Sequence, residues 1–250
     1  MTALTLEYAP VDKDGTKLSF IDSGAPAHSN DYLTFVVFHG LSMHAGIFQW
    51  VLERAPAKNV RFVAVNRRGY SSSTPYNEEE LEEMERGNLV FLERCAREVA
   101  AFLTWFVKTH TIPKRGADGK GCLAVGGYSL GSMLPLALLG NPEAIPKEQY
   151  DVLVPYLTRV VLIDSVYAAQ GVVRPEGAYL PFADSELTTP EAQLHAFSIF
   201  ITSYYSHPNI ECGLEGMDLV SKRTARASFE ISGEKTKPLC DDYAREELRM

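Results

Sequence analysis

Cysteine is scarce in this chain, and what there is does not cluster. The four thiols, Cys95, Cys122, Cys212 and Cys240, form no C-x-x-C pair. That spacing excludes a zinc ribbon and a dense disulfide framework, and it predicts reduced, mostly buried thiols. Long apolar runs are absent too: nothing approaches the ~20 residues of a membrane-spanning helix, so no membrane span is expected. Met1 to Thr5 carry no basic region followed by an apolar run, which predicts no signal peptide. There is no Asn-x-Ser/Thr sequon, and with the reduced thiols this points to a cytoplasmic location. Positive charge is in deficit, with 24 Lys and Arg against 32 Asp and Glu, a net charge of −8 and a pI near 5.3. Binding to a phosphate backbone needs clustered cations, so no nucleic-acid partner is expected. The acidic excess gathers in 78–85, which reads as a solvated helix start. Histidine is sparse as well, and only His195 and His207 lie beyond residue 129.

What is present is the composition of a folded globular chain, 46% hydrophobic and 22% charged over 250 residues. That suits one large domain or a domain with a sizeable insertion. Residues 4–9 and 17–22 read as short strands joined by the turn signal Asp12-Lys13-Asp14-Gly15. Leu33 to Phe38 and Val60 to Val65 are near-continuous apolar runs, as expected of strands buried on both faces of a parallel sheet. An amphipathic stretch from Ile47 to Arg54 lies between them. Asn77 and Glu80 form a capping-box pattern. Leu89, Leu92, Ala96, Val99, Leu103 and Phe106 step by three and four, one face of a long helix ending near His110. Leu123 to Gly127 and Arg159 to Asp164 read as two more buried strands, with a short helix in 147–156 between them. Strand–helix alternation of this kind argues a parallel sheet with crossover helices, an α/β fold. Its site belongs beyond the carboxyl ends of the strands. His39-Gly40, Asn66, Ser129 and Asp164 all sit at such ends.

The strongest signal is Gly127-Tyr128-Ser129-Leu130-Gly131, set between an apolar strand and the helix-like run from Met133 to Leu139. Reversing from strand to helix within about two residues strains the apex and leaves no room for side chains two positions either side. Gly127 and Gly131 satisfy that, and Ser129 is left as a candidate nucleophile.

His39-Gly40 after the third strand, Asn66-x-Arg68-Gly69-Tyr70-Ser71-x-Ser73 after the fourth and Gly127-x-Ser129-x-Gly131 after the fifth together resemble the α/β-hydrolase family of esterases, lipases and peptidases. The resemblance spans roughly residues 4–165. Asn66 stands where Asp is usual, and Ser71 where Gly is usual; both read as loop variation. The resemblance implies an α/β-hydrolase fold: a mostly parallel sheet, helices on both faces and a lid after the sixth strand. It implies a small-molecule acyl substrate and no cofactor. It makes the backbone N–H groups of Leu41 and Leu130 the oxyanion hole, supported by a loop in which His39 shapes the backbone and Gly40 lets it approach the substrate. Epoxide hydrolases and haloalkane dehalogenases look similar but use a carboxylate where this chain has Ser129. His39 and His44 could pair on a metal, but no third ligand is apparent and no metal is expected.

The domain reading is a core over 1–165 and a lid or cap over 166–250, with an apolar helical segment from Pro190 to Tyr205. Tyr167, Tyr179, Phe182, Phe197, Phe200, Tyr204 and Tyr205 suit either a pocket wall or helix packing. A strand over 229–234 would be short and flanked by polar residues. The serine needs a histidine base and an acid to orient it, in the chain order Ser, acid, His. Asp164 is the candidate acid and His207 the candidate base, with His195 as the other downstream histidine. The family's last strands have no counterpart here, so the chain is expected to be C-terminally incomplete, with an uncovered strand edge. The function expected is a serine hydrolase of an ester, amide or lactone. The alternatives are a non-catalytic binding protein of the same fold, or an inactive fragment.

Overall fold

A computed structural model describes residues 5–203 apart from 71, 120 and 175–179. The chain divides into two compact units, Met1–Val172 and Val173–Met250.

The first unit is built on six strands: β1 (Leu6–Pro10), β2 (Lys17–Asp22), β3 (Leu33–Phe38), β4 (Val60–Val65), β5 (Cys122–Tyr128) and β6 (Leu157–Ile163). Their spatial order is β1-β2-β4-β3-β5-β6. β1 and β2 pair antiparallel, β2 joins β4 antiparallel, and β4, β3, β5 and β6 run parallel. Register explains the apolar runs. Val36 lies beside Val63 and Phe38 beside Val65, and all four enter the larger core. Val37 lies beside Ala64, and both enter the smaller core on the other face. A strand buried on both sides has no polar face to alternate with.

Helices cover both faces. α1 (Gln49–Arg54) supplies Leu52 to the smaller core. α2 (Glu78–Glu85) and α3 (Leu89–Thr109) link β4 to β5. α4 (Met133–Gly140) and α5 (Lys147–Leu153) link β5 to β6. Phe102 and Phe106 of α3 are fully buried with Phe20 and Phe38 of the sheet. Burying such side chains stabilises by about 1.5–3 kcal/mol each. Of the expected apolar face of α3, Ala96, Val99, Leu103 and Phe106 are buried; only at its start does it differ, with Phe91 and Cys95 buried and Leu89 and Leu92 facing solvent. Phe91, Cys95, Val99, Phe102 and Phe106 form a second row at four- and three-residue steps, and from Cys95 onward both rows are buried.

Two other expectations change. β6 is not a buried strand: none of its seven residues is buried, and Leu162 is 39% exposed. Among the described residues β6 pairs only with β5, so one of its edges is unpaired. The acidic run at 78–85 is not simply solvated. Its capping box is present, with Asn77 and Glu80 each accepting the other's N–H at 2.9 Å. Glu80 also pairs with Arg68 at 2.7 Å, and Glu83 with Arg94. No residue of α2 is buried, so charge pairs rather than apolar burial tie it to the loop after β4 and to α3.

β4 also carries a buried cation. Arg61 pairs with Asp22 and donates to His110 Nδ1 at 2.9 Å, its guanidinium lying 4.9 Å from the Phe106 ring centre. Burial works against that charge, but the Asp22 carboxylate outweighs it and raises the Arg61 pKa.

In the second unit, α6 (Pro190–Ser203) starts with proline in its first turn, and Thr189 Oγ1 accepts the Ala192 N–H at 3.2 Å. Phe182 packs on Phe197 at 5.0 Å between ring centres, and Phe197 lies 6.5 Å from Phe200. Tyr179, Tyr204, Tyr205 and 229–234 lie outside the described residues. Among those described, no helix is long and apolar enough to cross a membrane.

Candidate active site

β5 ends at Tyr128, and the chain turns at once into a 3-10 turn (Ser129–Ser132) that runs into α4. Ser129 has φ +52°, a left-handed backbone. A Cβ at position 127 would collide with the Gly131 carbonyl, and one at position 131 with the carbonyls of His39 and Phe38. The steric demand read from the sequence is therefore met by both glycines. Ser132 Oγ donates to the Gly127 carbonyl at 2.9 Å and clamps the turn shut. Ser129 is half-buried, and among the described residues no hydrogen bond reaches its hydroxyl.

Strain gathers along this edge of the sheet. Among the described residues, six non-glycine residues have a left-handed backbone, and four of them follow the four parallel strands in turn: Ser42, Ser72, Ser129 and Asp164. Such residues cost about 1–3 kcal/mol each and gather at functional sites.

The loop after β3 packs against the elbow. A Cβ on Gly40 would lie 3.1 Å from Ser129 Cβ, so the backbone there passes beside the serine. His39 is fully buried, and its Nε2 accepts the Arg67 N–H at 3.1 Å. That leaves the ring proton on Nδ1, which donates to the Gly40 carbonyl at 2.8 Å. Burial, and then the Arg67 charge, push the His39 pKa down from 6.5 to about 3, so the ring stays neutral. With both ring nitrogens engaged, His39 has none left for a metal. His44 Nδ1 accepts the Gly46 N–H at 3.0 Å and caps a short 3-10 turn.

Arg67 Nη2 donates to the same Gly40 carbonyl at 3.0 Å, its guanidinium sitting 4.5 Å from the Tyr70 ring centre. The Arg67 Nε is buried and unpartnered. Two donors thus hold the Gly40 carbonyl on one side of the peptide. In a trans peptide the N–H of the next residue, Leu41, points the opposite way. Sequence reasoning missed Arg67 because it occupies the variable position of its motif.

Asn66 is more than loop variation. Its Oδ1 accepts the Ala45 N–H at 2.6 Å and its Nδ2 donates to Ser19 Oγ at 2.9 Å. An aspartate would lack that second donor. Ser73 Oγ donates to the Asn66 carbonyl at 2.8 Å. Arg68 is enclosed by Glu80 and Glu98, both bonded at 2.8 Å or less, and by the Pro75 carbonyl. Burial disfavours its charge, yet those carboxylates raise its pKa. Ser71 lies outside the described residues.

Asp164 follows β6 directly. Ile163 is the register partner of Tyr128, which puts Asp164 level with Ser129 on the neighbouring strand. Burial, and then the Asp164 charge, raise the Tyr128 pKa. Asp164 is exposed, with φ +47°. His195 is exposed on α6, in the second unit, and His207 lies outside the described residues.

The model of the alpha/beta hydrolase family matches residues 35–230, and the chain belongs to that family. Solved structures of similar fold include a bromoperoxidase from Bacillus anthracis, 12% identical over 92% of this chain and 69% of that one, TM-score 0.49. Another is the 2-hydroxy-6-oxo-6-phenylhexa-2,4-dienoate hydrolase of Rhodococcus sp. strain RHA1, 16% identical over 97% of this chain and 69% of that one, TM-score 0.47. A third is the epoxide hydrolase CorEH, 15% identical over 99% of this chain and 75% of that one, TM-score 0.47. No curated protein matches the sequence.

Proposed function

We propose that the chain is a serine hydrolase acting on an ester, amide or lactone through an acyl-serine. The observation that carries this reading is the strained Ser129 at the turn from β5 into α4, flanked by two glycines that admit no side chain. Ser129 Oγ bonds to the acyl carbon and its proton passes to a histidine base, while the carbonyl electron pair moves onto oxygen. The Leu41 and Leu130 N–H groups stabilise that oxyanion; one such donor is worth about 3–4 kcal/mol of barrier. The leaving group departs with the proton. Water then attacks the acyl-serine by the same route and releases the acid. Asp164 is the acid that orients the base, and His207 is assigned as the base on chain order alone. A serine at the apex, where epoxide hydrolases carry a carboxylate, favours acyl transfer over epoxide opening.

A fluorophosphonate probe tests this. Labelling of the native chain, lost in Ser129→Ala, is expected, and His207→Ala should lower the rate by several powers of ten. A folded chain that takes no label would sink the reading and favour a non-catalytic binding protein of the same fold.

A further inference from the structure

Beneath the oxyanion loop, on the α3 and α4 face of the sheet, lies a cavity of about 380 Å³. That volume falls within the range of small-molecule sites, about 300–1,000 Å³. Every residue of its wall belongs to the first unit. Leu41 and Leu130 stand in that wall, with Phe38, Phe91, Val99 and Leu134 behind them. We infer that this cavity is the binding site for an apolar acyl chain, the chain whose carbonyl is cleaved at Ser129. The inference rests on the hydrolase reading above.

Three observations carry it. The two residues proposed to hold the oxyanion also wall the cavity, so a chain running back from that carbonyl has a place to go. Arg68 in the wall is paired with Glu80 and Glu98, while the Arg67 guanidinium has no carboxylate partner among the described residues and donates through Nη2 to the Gly40 carbonyl. Apart from the Arg67 Nε–H, a ligand meets mostly carbon. The Cys95 thiol in the wall is pushed up to about 12 by burial, so it stays protonated and acts as one more apolar group. Away from Arg67, an anionic or strongly polar acyl group would be desolvated there without a free counter-charge. The outer wall is formed by Leu81 and Met84 of α2.

The test is a series of p-nitrophenyl esters from acetate through butyrate and octanoate to dodecanoate, run on the full chain. Each methylene that enters the cavity should raise kcat/KM by about fourfold until the space is filled. Val99→Phe takes up space in the cavity and should lower the octanoate-to-acetate ratio of kcat/KM at least tenfold. If Val99→Phe does not fold, Val99→Leu carries the same test with a smaller shift. Binding is read separately, by calorimetry of decanoic acid on Ser129→Ala, where a negative heat-capacity change is expected and Val99→Phe should weaken it. Turnover with a flat chain-length profile and no decanoic acid binding overturns the cavity assignment and leaves the hydrolase reading standing. Binding that Val99→Phe weakens, in a chain that takes no fluorophosphonate, overturns the hydrolase reading and leaves the cavity as a lipid-binding site.

Discussion

β5 and β6 look alike as sequence and differ as structure. Each is a seven-residue apolar strand followed by a residue with left-handed backbone, Ser129 after one and Asp164 after the other. β5 has a neighbour on each side, and six of its seven residues are buried; β6 has no buried residue. Hydrophobic content shows that a strand can be buried, but its neighbours decide whether it is. The two strands therefore hold their candidate site residues differently. Ser129 is wedged between the β3 loop and α4 by backbone contacts that admit no side chain. Asp164 stands exposed at the end of a strand that, among the described residues, pairs on one side alone.

The sharpest way to break this contrast is at the centre. Gly131→Ala would drive a methyl group into the His39 and Phe38 carbonyls. A loss of more than about 4 kcal/mol, or outright failure to fold, is expected in urea denaturation. Full stability would show that the elbow has slack. Next in size is Arg67→Ala, which removes one of the two donors on the Gly40 carbonyl. Its kcat should fall about tenfold to a hundredfold with KM less affected, because the loss loosens the Leu41 N–H proposed to hold the oxyanion. Arg67→Lys should rescue part of the rate, and a KM effect alone would contradict the role.

The third expectation concerns acid. His39 is held neutral in the fold, with a pKa near 3 instead of 6.5. Between those values the unfolded chain binds a proton that the fold refuses. This contribution to stability is therefore complete above 6.5 and is lost as pH falls toward about 3. Denaturation at stepped pH should show that decline flattened in His39→Gln; an unchanged slope would remove His39 as its source. The smallest effect belongs to the edge. Leu162→Ala, at a position 39% exposed, should cost under about 1 kcal/mol. A larger loss would mean that β6 is better covered than its exposure suggests.

The features legible in the sequence were those set by local geometry. The Gly127–Gly131 spacing, the Asn77–Glu80 capping box and the double-sided runs of β3 and β4 follow from backbone sterics and from the period of the chain itself. What escaped needed partners from elsewhere in the sequence. Arg67 acts on a carbonyl 27 residues away, and Glu80 neutralises a guanidinium 12 residues before it. At the first turns of α3, contact with the core decided between Phe91 and Cys95 on one row and Leu89 and Leu92 on the next. The candidate base, His207, lies outside the described residues, so the proton acceptor rests on chain order alone.

The left-handed backbone of Ser129 also bears on how this protein could change. Glycine adopts that conformation without strain, so Ser129→Gly should be more stable than Ser129→Ala by about 1 kcal/mol or more. Drift toward stability alone would thus favour glycine at the apex and erase the hydroxyl. Any laboratory evolution that screens only for thermal tolerance should accumulate that change early. A parallel screen for turnover should never admit it.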